Sequence, residues 1–247
     1  MIDLHCHILP GVDDGAASEE ESCMMAETAA ESGVTVIAAT PHCNVPGSGR
    51  NSDPAEVRRR LERLRSALGR QGIPVELASG MEVFVTPEVP ELLRQKRLLT
   101  LNDSRYLLVE FGFDEPLDYA EEMLAAIRAE GVVPVVAHPE RYRFVQAERE
   151  CLPRWAEAGY VLQVNKGSLF GMFGRRAAET ACWCLGEGCV HLIGSDAHSP
   201  FRRTTRLTDA WEYAADLDSP EIADFLLRDN PRRILEDRPV KPVLAEF

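Results

Sequence analysis

Short aliphatic and β-branched runs alternate along this chain with longer stretches whose apolar positions recur at helical spacing. The seven strand-like runs are residues 1–4, 34–39, 75–78, 106–110, 132–137, 160–164 and 190–193. Strands that alternate with helices predict a parallel sheet with right-handed crossovers. We therefore predict an α/β fold with about seven β-α repeats.

Capping signals mark where several helices begin. Ser18 followed by Glu21 is a capping box. Asp53-Pro54 supplies an N-cap with proline in the first helical position, opening a helix that runs to Gly69. Further helices are predicted at residues 87–95, 118–130, 147–158, 175–186, 205–215 and 220–227, with a last turn at 231–236.

Histidines and acids that could bind metal follow the predicted strands. Those at the C-terminal ends of strand-like runs are His42, Glu82, Glu110, His138 and Asp196. In an open sheet such residues would spread along a line, whereas in a barrel they converge on one mouth. We therefore predict a distorted (β/α)7 TIM-like barrel with its metal site at the C-terminal ends of the strands. No linker divides the chain, so a single domain over 1–247 is expected, with a flexible loop at 46–51.

The first strand carries the most informative motif, Asp3-Leu4-His5-Cys6-His7. Residues i and i+2 of a strand point to the same side, so His5 and His7 can reach one metal while Leu4 and Cys6 face the other way. The pair Asp13-Asp14 follows on the next loop, close enough to ligate a second ion.

Composition narrows the class of protein. The 247 residues are 45% hydrophobic and 27% charged, as in ordinary globular proteins, and the net charge is −13. That charge argues against a nucleic-acid partner. No apolar run approaches the roughly 20 residues that span a bilayer, and the N-terminus does not resemble a signal peptide. We expect a cytoplasmic protein without membrane insertion, with its seven cysteines reduced.

Two sets of residues stand outside the main pattern. Cys182, Cys184 and Cys189 are poorly spaced for zinc, and we interpret them as small apolar residues of a helix ending near Gly186. His191 falls within a strand-like run, which suggests a core residue or one that supports the ligands.

The remaining five histidines all fall in motifs with acids at strand ends. These motifs are His5-x-His7 with Asp14, Thr40-Pro41-His42, Gly80-Met81-Glu82, Val109-Glu110-Phe111, Ala137-His138-Pro139-Glu140-Arg141 and Gly194-Ser195-Asp196-Ala197-His198. Histidine and carboxylate ligands without thiolate suit Mn, Fe or Zn, with Mg as an alternative.

This set resembles the polymerase and histidinol phosphatase (PHP) superfamily of metal-dependent phosphoesterases, over residues 1 to about 236. The long opening His5-Cys6-His7-Ile8-Leu9-Pro10-Gly11-Val12-Asp13-Asp14-Gly15-Ala16 is more specific. Together with the later motifs, it is similar to that of the bacterial capsule- and exopolysaccharide-associated tyrosine phosphatases of this superfamily. The resemblance implies the PHP fold and three metal ions in one cluster, most commonly Mn²⁺.

The resemblance also implies a ligand for each ion. One would be held by His5, His7, Glu82 and Asp196. A second would share Glu82 and add Glu110 and His138. The third would take Asp14, His42 and His198. A carboxylate such as Glu82 can bridge two ions.

The implied chemistry is phosphate ester hydrolysis, in which a metal-bridging hydroxide attacks phosphorus. Arg141 is the first candidate to stabilise the phosphoryl oxygens and Arg203 the second. Arg202 and Arg206 lie nearby, and a solvated basic turn is the alternative for that segment. His198 or a metal-bound water would protonate the leaving group.

A different tyrosine phosphatase signature is nearly present. Cys43 and Arg50 resemble the Cys-x5-Arg loop of thiol-based enzymes, but six residues separate them instead of five. We therefore predict that Cys43 is dispensable and that no phosphocysteine forms.

The leading interpretation is hydrolysis of phosphotyrosine on a protein, in particular the tail of a bacterial tyrosine kinase that controls polysaccharide export. The alternative is a PHP phosphatase of a small metabolite such as histidinol phosphate. A metal-stabilised binding module is a third interpretation, and a nuclease fits poorly with the charge. Residues 19–21, all glutamate, could serve a homo-oligomer, but a solvated helix N-terminus is the simpler explanation.

Overall fold

The computed structural model describes residues 1–47 and 53–241 as an α/β fold. Its strands are β1 (Ile2–Cys6), β2 (Val36–Ala39), β3 (His42–Cys43), β4 (Glu76–Ser79), β5 (Glu82–Phe84), β6 (Tyr106–Glu110), β7 (Val133–Ala137), β8 (Val161–Asn165) and β9 (Leu192–Gly194). Its helices are α1 (Glu19–Glu31), α2 (Pro54–Gln71), α3 (Val89–Arg94), α4 (Leu117–Ala129), α5 (Arg143–Ala147), α6 (Cys151–Glu157), α7 (Lys166–Leu169), α8 (Arg175–Gly186), α9 (Thr208–Leu217), α10 (Pro220–Asp224) and α11 (Asn230–Leu235).

All strand pairs are parallel and follow the order of the chain. The strands β1, β2 and β4 form one sheet, and β3, β5, β6, β7, β8 and β9 form the other. Two of the seven predicted strand positions are interrupted, at residues 40–41 between β2 and β3 and at residues 80–81 between β4 and β5. Each interruption allows the chain to turn from one sheet into the other, so the nine strands represent seven positions.

Backbone hydrogen bonds join the last strand position to the first. An isolated parallel bridge pairs Cys6 with Ala197. His7 N–H donates to Ala197 O at 2.9 Å, and Asp196 N–H donates to His5 O at 2.9 Å. These bonds connect the two sheets at the first and last strand positions, and the predicted TIM-like α/β architecture is confirmed.

The first strand departs from simple alternation. The pairing of β1 with β2 shifts register between Asp3 and Cys6. Leu4 packs in the smaller apolar cluster with Leu108, whereas Cys6 belongs to the larger cluster. The prediction that Leu4 and Cys6 face the same way is therefore wrong, because an irregular strand does not keep a strict period of two.

Local sequence signals predict where some helices begin, but not all of them. Ser18 Oγ accepts from Glu21 N–H, and the Asp53 side chain accepts from Ala55 N–H, so both predicted N-caps are confirmed. The helix predicted at 147–158 is present as α6, but its predicted start is wrong, because α5 ends at Ala147 and α6 begins only at Cys151. The short helix α7 was not predicted.

The cysteines agree with the interpretation of Cys182 and Cys184 as helical residues. All seven cysteines are free. Cys182 and Cys184 lie on α8, which ends at Gly186 as predicted. Among the described residues, no helix is both long and apolar enough to cross a membrane. Most of the loop predicted at 46–51 lies outside the described residues.

Candidate metal centre

Nine histidine and carboxylate side chains converge at the ends of the strands. Within the described chain, four overlapping groups could each hold an ion: His7, Asp14, His42 and His198; His5, His7 and Asp196; His5, Glu82 and His138; and His42, Glu82 and Glu110. These groups contain all nine of the metal ligands expected from the sequence. The structure therefore brings every predicted ligand into one cluster.

Glu82 lies at the centre of this cluster and is completely buried. Its Oε1 is 3.1 Å from His5 Nε2 and 3.0 Å from His138 Nε2. Its Oε2 is 3.2 Å from His7 Nε2 and 3.0 Å from His42 Nδ1. Each carboxylate oxygen thus faces a different pair of imidazoles, as a bridging ligand would require.

The two strand interruptions place His42 beside Glu82. His42 and Glu82 are paired residues of β3 and β5. His42 Nδ1 also lies 2.9 Å from Glu110 Oε1, at the end of β6. Three neighbouring strands therefore contribute adjacent ligands, as expected at the C-terminal mouth of a barrel.

His5 is oriented by a glutamine that the sequence analysis missed. Gln163 Nε2 donates to Val164 O at 2.8 Å, which leaves Oε1 facing His5 Nδ1 at 2.7 Å. Because an amide oxygen can only accept, the proton of His5 lies on Nδ1. The signal was a lone glutamine in the otherwise apolar strand β8.

His7 is held in the same way by Asp13. His7 Nδ1 donates to Asp13 Oδ2 at 2.8 Å, and Asp13 Oδ1 accepts from Gly15 N–H at 3.0 Å. Asp13 therefore orients a ligand, whereas its neighbour Asp14 faces the cluster with Oδ1 at 3.5 Å from His42 Nε2. The family resemblance singles out Asp14 as a ligand, whereas the orienting role of Asp13 was not predicted.

The glycine of the opening motif is required by a close approach. A Cβ on Gly15 would lie 2.1 Å from the carbonyl oxygen of His7, a separation that no packed structure allows. Ala16 N–H in turn donates to His7 O at 3.0 Å. The turn at Gly15 thus folds the loop that carries Asp13 and Asp14 back onto the end of β1, next to His7.

The third oriented imidazole is His198. Its Nδ1 donates to the backbone oxygen of Asp196 at 3.0 Å, and its Nε2 lies 3.5 Å from Asp14 Oδ1. In zinc and manganese proteins, a ligating histidine usually donates its second ring N–H to such an acceptor. His5, His7 and His198 all follow this pattern.

This donor set fits cations. With the protons on Nδ1, the Nε2 lone pairs of His5 and His7 face each other at 3.3 Å and both face carboxylate oxygens. Lone pairs and anions at such separations repel each other unless a positive charge lies between them. Metal ions would supply that charge, and the His and carboxylate ligands suit Mn, Fe or Zn.

The pKa values describe the competition between protons and metal. Burial opposes protonation of His7, but Asp13 and the other carboxylates outweigh it and raise its pKa well above the usual range. Burial similarly opposes charge on His42, yet Glu110 and Glu82 raise its pKa to about 10. Burial would raise the pKa of Glu82, but the surrounding histidines hold it well below normal. The carboxylates that favour protons on these histidines would equally favour metal ions in their place.

Asp196 joins the cluster to two arginines. Its Oδ1 lies 3.5 Å from the Nε2 atoms of His5 and His7. Its Oδ2 lies 3.1 Å from Arg141 Nη1 and 2.5 Å from Arg203 Nη2. Both predicted phosphate-binding arginines thus border the centre.

Arg203 is distinguished from its neighbours by position. Arg202 and Arg206 are exposed, whereas Arg203 is partly buried. The Arg203 Nε is buried without a hydrogen-bond partner among the described residues. An anion at the centre could accept from that group, which favours Arg203 over the other two.

Three residues of the centre have left-handed backbone conformations. The φ angles of His138, Asp196 and Arg203 are 37°, 49° and 53°. Non-glycine residues rarely adopt such angles, and those that do concentrate at functional sites. The strained backbone at these positions aims the side chains into the cluster.

Two aromatic residues that the sequence analysis missed enclose Arg141. Its guanidinium carbon lies 4.0 Å from the ring centre of Phe173 and 5.0 Å from that of Phe113. Cation–π contacts of this kind fix the orientation of a guanidinium. Neither phenylalanine belongs to a histidine or acid motif, so no sequence signal marked it.

Two other predictions concern residues away from the centre. His191 is buried, and its Nδ1 accepts from Leu162 N–H at 3.1 Å, as a core residue would. Cys43 is buried, and burial raises the pKa of its thiol to about 12. Its proposed partner, Arg50, lies outside the described residues.

Comparison with solved structures agrees with this architecture. One match comes from the crystal structures of YwqE from Bacillus subtilis and CpsB from Streptococcus pneumoniae, which are described as metal-dependent tyrosine phosphatases. Its TM-score is 0.89 at 34% identity, and the match covers 98% of this chain and 99% of that one. A phosphotriesterase from Mycobacterium tuberculosis shares the fold at a TM-score of 0.60 and 12% identity, covering 97% and 95% of the two chains.

Proteins similar to this chain in sequence include named tyrosine-protein phosphatases. The tyrosine-protein phosphatase YwqE of Bacillus subtilis is 35% identical, covering 97% of this chain and 93% of its own. The tyrosine-protein phosphatase CpsB of Streptococcus pneumoniae is 30% identical, covering 96% and 99%. The family model for capsular polysaccharide synthesis, CpsB/CapC, matches residues 1–236. The chain therefore belongs to the CpsB/CapC family.

Proposed function

We propose that this protein is a metal-dependent tyrosine-protein phosphatase, built as a single domain. The observation that carries the proposal is the cluster of nine histidine and carboxylate side chains, all but Asp14 buried or half-buried, beside two arginines, Arg141 and Arg203. Named tyrosine phosphatases at 30–35% identity over nearly the whole chain support the substrate class.

The ligands would divide among three ions. His5, His7, Glu82 and Asp196 would hold the first; Glu82, Glu110 and His138 the second; and Asp14, His42 and His198 the third. Each set overlaps with a group whose ligand atoms lie close together in the structure. We propose Mn²⁺ as the ion, since imidazole with several carboxylates and no thiolate suits it.

When bound, the ions would supply a water of lowered pKa as the nucleophile and would offset charge on the phosphoryl oxygens. Arg141 and Arg203 would donate to those oxygens from the side of Asp196 Oδ2. Asp196 and the aromatic rings would hold both guanidiniums in place before substrate binds. A phenolate leaves more readily than an alkoxide, so protonation of the leaving group would need little help. His198 would not supply that proton while its Nδ1 donates to Asp196 O and its Nε2 faces Asp14 and the third ion.

The substrate would be a protein that carries phosphotyrosine. Because the family is one of capsular polysaccharide synthesis, we propose a bacterial tyrosine kinase as that protein. This protein would encounter the tail of such a kinase in the cytoplasm. The charge of −13 disfavours nucleic acid as a substrate.

The test compares two substrates on metal-stripped protein to which Mn²⁺ is restored. Release of phosphate from a tyrosine-phosphorylated peptide, lost in His138→Ala, is the expected result. Turnover of histidinol phosphate without turnover of the peptide would overturn the substrate assignment in favour of a metabolite phosphatase. If neither this peptide nor p-nitrophenyl phosphate is hydrolysed, the protein is a binding module instead.

The arginines offer a second test. Arg141→Lys and Arg203→Lys keep the charge but remove the planar pair of donors. Each is expected to lower kcat/KM by about 100- to 1,000-fold, because removing one preorganised donor costs roughly 3–4 kcal/mol. Arg202→Lys, on the exposed neighbour, is the control and should have little effect.

A further inference from the structure

A groove opens beside the metal centre and begins at Arg141. It has a volume of about 540 Å³ and is bordered by Phe113 and Asp114 on one side and by Phe173 and the first turn of α8 on the other. Phe113 also lies near the centre itself, with its ring 6.5 Å from that of His138. A chain bound at the metals would therefore run directly into this groove.

The groove is basic although the protein is acidic. Its charged residues are Arg141, Arg143, Arg175, Arg176 and Asp114, which sum to +3, in a chain of net charge −13. The positive charge is therefore local and cannot follow from composition.

Not all of this charge is neutralised within the protein. Arg143 pairs with Asp114 at 2.7 Å, and Arg175 with Glu179 at 2.6 Å, but all four of these side chains are largely exposed. Exposed pairs of this kind are weak and exchange readily for another anion. Arg176 is also exposed and stands next to them.

The placement of the arginines on α8 is unfavourable for the helix. Arg175 and Arg176 occupy its first turn, which contains no acidic residue, and Gly174 offers no side-chain cap. Positive charge is disfavoured at that end, where the helix dipole attracts anions. Residues that break a local rule without structural benefit are expected at functional sites.

The groove wall is also rigidly built. Phe173 packs so closely on Gly167 that a Cβ there would lie 2.7 Å from its ring. Phe173 in turn lies 4.0 Å below the guanidinium of Arg141 and 5.4 Å from that of Arg203. The wall thus connects the groove to the two arginines at the centre.

We infer that this groove binds acidic residues flanking the phosphotyrosine, so that the enzyme prefers substrates whose polypeptide carries carboxylates beside the scissile group. The inference rests on the proposed function. It adds a determinant that the metal centre lacks, since the metals and the Arg141 guanidinium would bind the phosphate alone. The groove arginines would act on substrate binding and would favour association through electrostatic complementarity.

The experiment uses two peptides with the same phosphotyrosine, one flanked by glutamates and the other by glutamines, on Mn²⁺-loaded protein. The wild-type kcat/KM is expected to be about tenfold higher for the glutamate peptide at low salt, and the ratio should fall as salt is added. In the double variant Arg175→Ala, Arg176→Ala the ratio should approach 1.

A matched control carries the same change of charge elsewhere. Arg63 is exposed on α2. Arg228 pairs with Asp224, an acid four residues away, just as Arg175 pairs with Glu179. The double variant Arg63→Ala, Arg228→Ala should keep the wild-type ratio.

Three results would overturn the inference: equal turnover of the two peptides by the wild type, a salt-independent ratio, or the same loss of preference in the control. The first two do not depend on whether any variant folds. Failure to hydrolyse either peptide would instead overturn the proposed function, and the inference with it.

Discussion

Asp13 Oδ2 lies 2.8 Å from His7 Nδ1 and at the same time accepts a hydrogen bond from the backbone N–H of His42 at 2.9 Å. The Asp13 carboxylate therefore orients the His7 side chain at the end of β1. It also fixes the start of β3, where His42 lies. Asp13 does not need to touch a metal to matter for metal binding.

The substitution Asp13→Asn tests this arrangement. The amide can present its N–H₂ to His7 Nδ1, which favours the tautomer with the proton on Nε2, where a metal would bind. Loss of such an orienting partner typically lowers metal affinity by about 10- to 100-fold. Titration of stripped protein with Mn²⁺, followed by calorimetry, measures the loss.

Asp114→Asn serves as the control for that measurement, since its side chain is 69% exposed and pairs with Arg143 away from the metal ligands. Equal affinities for wild type and Asp13→Asn would show that the contact between Asp13 and His7 is not needed for metal binding.

Gly15→Ala is expected to destabilise the fold as well as the centre. The added Cβ would meet the His7 carbonyl at 2.1 Å, so the loop must shift. Overpacking of this kind typically costs about 1–3 kcal/mol of unfolding free energy. Urea denaturation measures the cost. Gly186→Ala, where a Cβ meets nothing within 4 Å, is the control and should be nearly neutral.

His191 predicts a pH dependence of stability that does not involve the metals. Burial lowers its pKa to about 4 from the unfolded value of 6.5. Between these values the unfolded chain binds more protons, so stability is lost as pH falls from about 6.5 to about 4. The shift corresponds to about 3 kcal/mol.

The measurement compares unfolding free energies at pH 7 and pH 4 for wild type and His191→Gln, both stripped of metal. Contributions of the metal ligands are common to the two proteins, so the wild type should lose about 3 kcal/mol more than the variant. If both proteins lose the same free energy, His191 does not titrate as described.

Much of the fold was predictable because its signals are local. Alternating strands and helices, the caps at Ser18 and Asp53, and ligands at strand ends are all read directly from residue order. The nine residues of the histidine and carboxylate cluster could be found because histidine and acid motifs, and a family resemblance, mark them. The separate helix α5 and the late start of α6 at Cys151 could not be predicted, since tertiary packing decides where these short helices begin and end.

The supporting residues of the centre escaped prediction for a related reason. Gln163 and Phe173 contact His5 and Arg141 only after distant parts of the chain meet. Asp13 was visible in the motif, but its role depends on a hydrogen bond to His7 that the turn at Gly15 creates. Contacts across the barrel mouth join residues that are far apart in the sequence, so the spacing of motifs does not predict them.

Cys43→Ser separates the metal mechanism from a thiol mechanism. The thiol is buried and its pKa is raised to about 12, so almost no thiolate exists at neutral pH. The variant should retain phosphate release from a phosphotyrosine peptide. Loss of that activity with normal metal content would contradict the metal mechanism and favour a phosphocysteine.

The central claim, that the cluster around Glu82 hydrolyses phosphotyrosine through bound metal, is tested most directly by reconstitution. Stripped protein is titrated with Mn²⁺ while metal content and phosphate release from a tyrosine-phosphorylated peptide are measured together. Activity should be absent without metal and rise as up to three ions bind. Full activity of the stripped protein would contradict the claim.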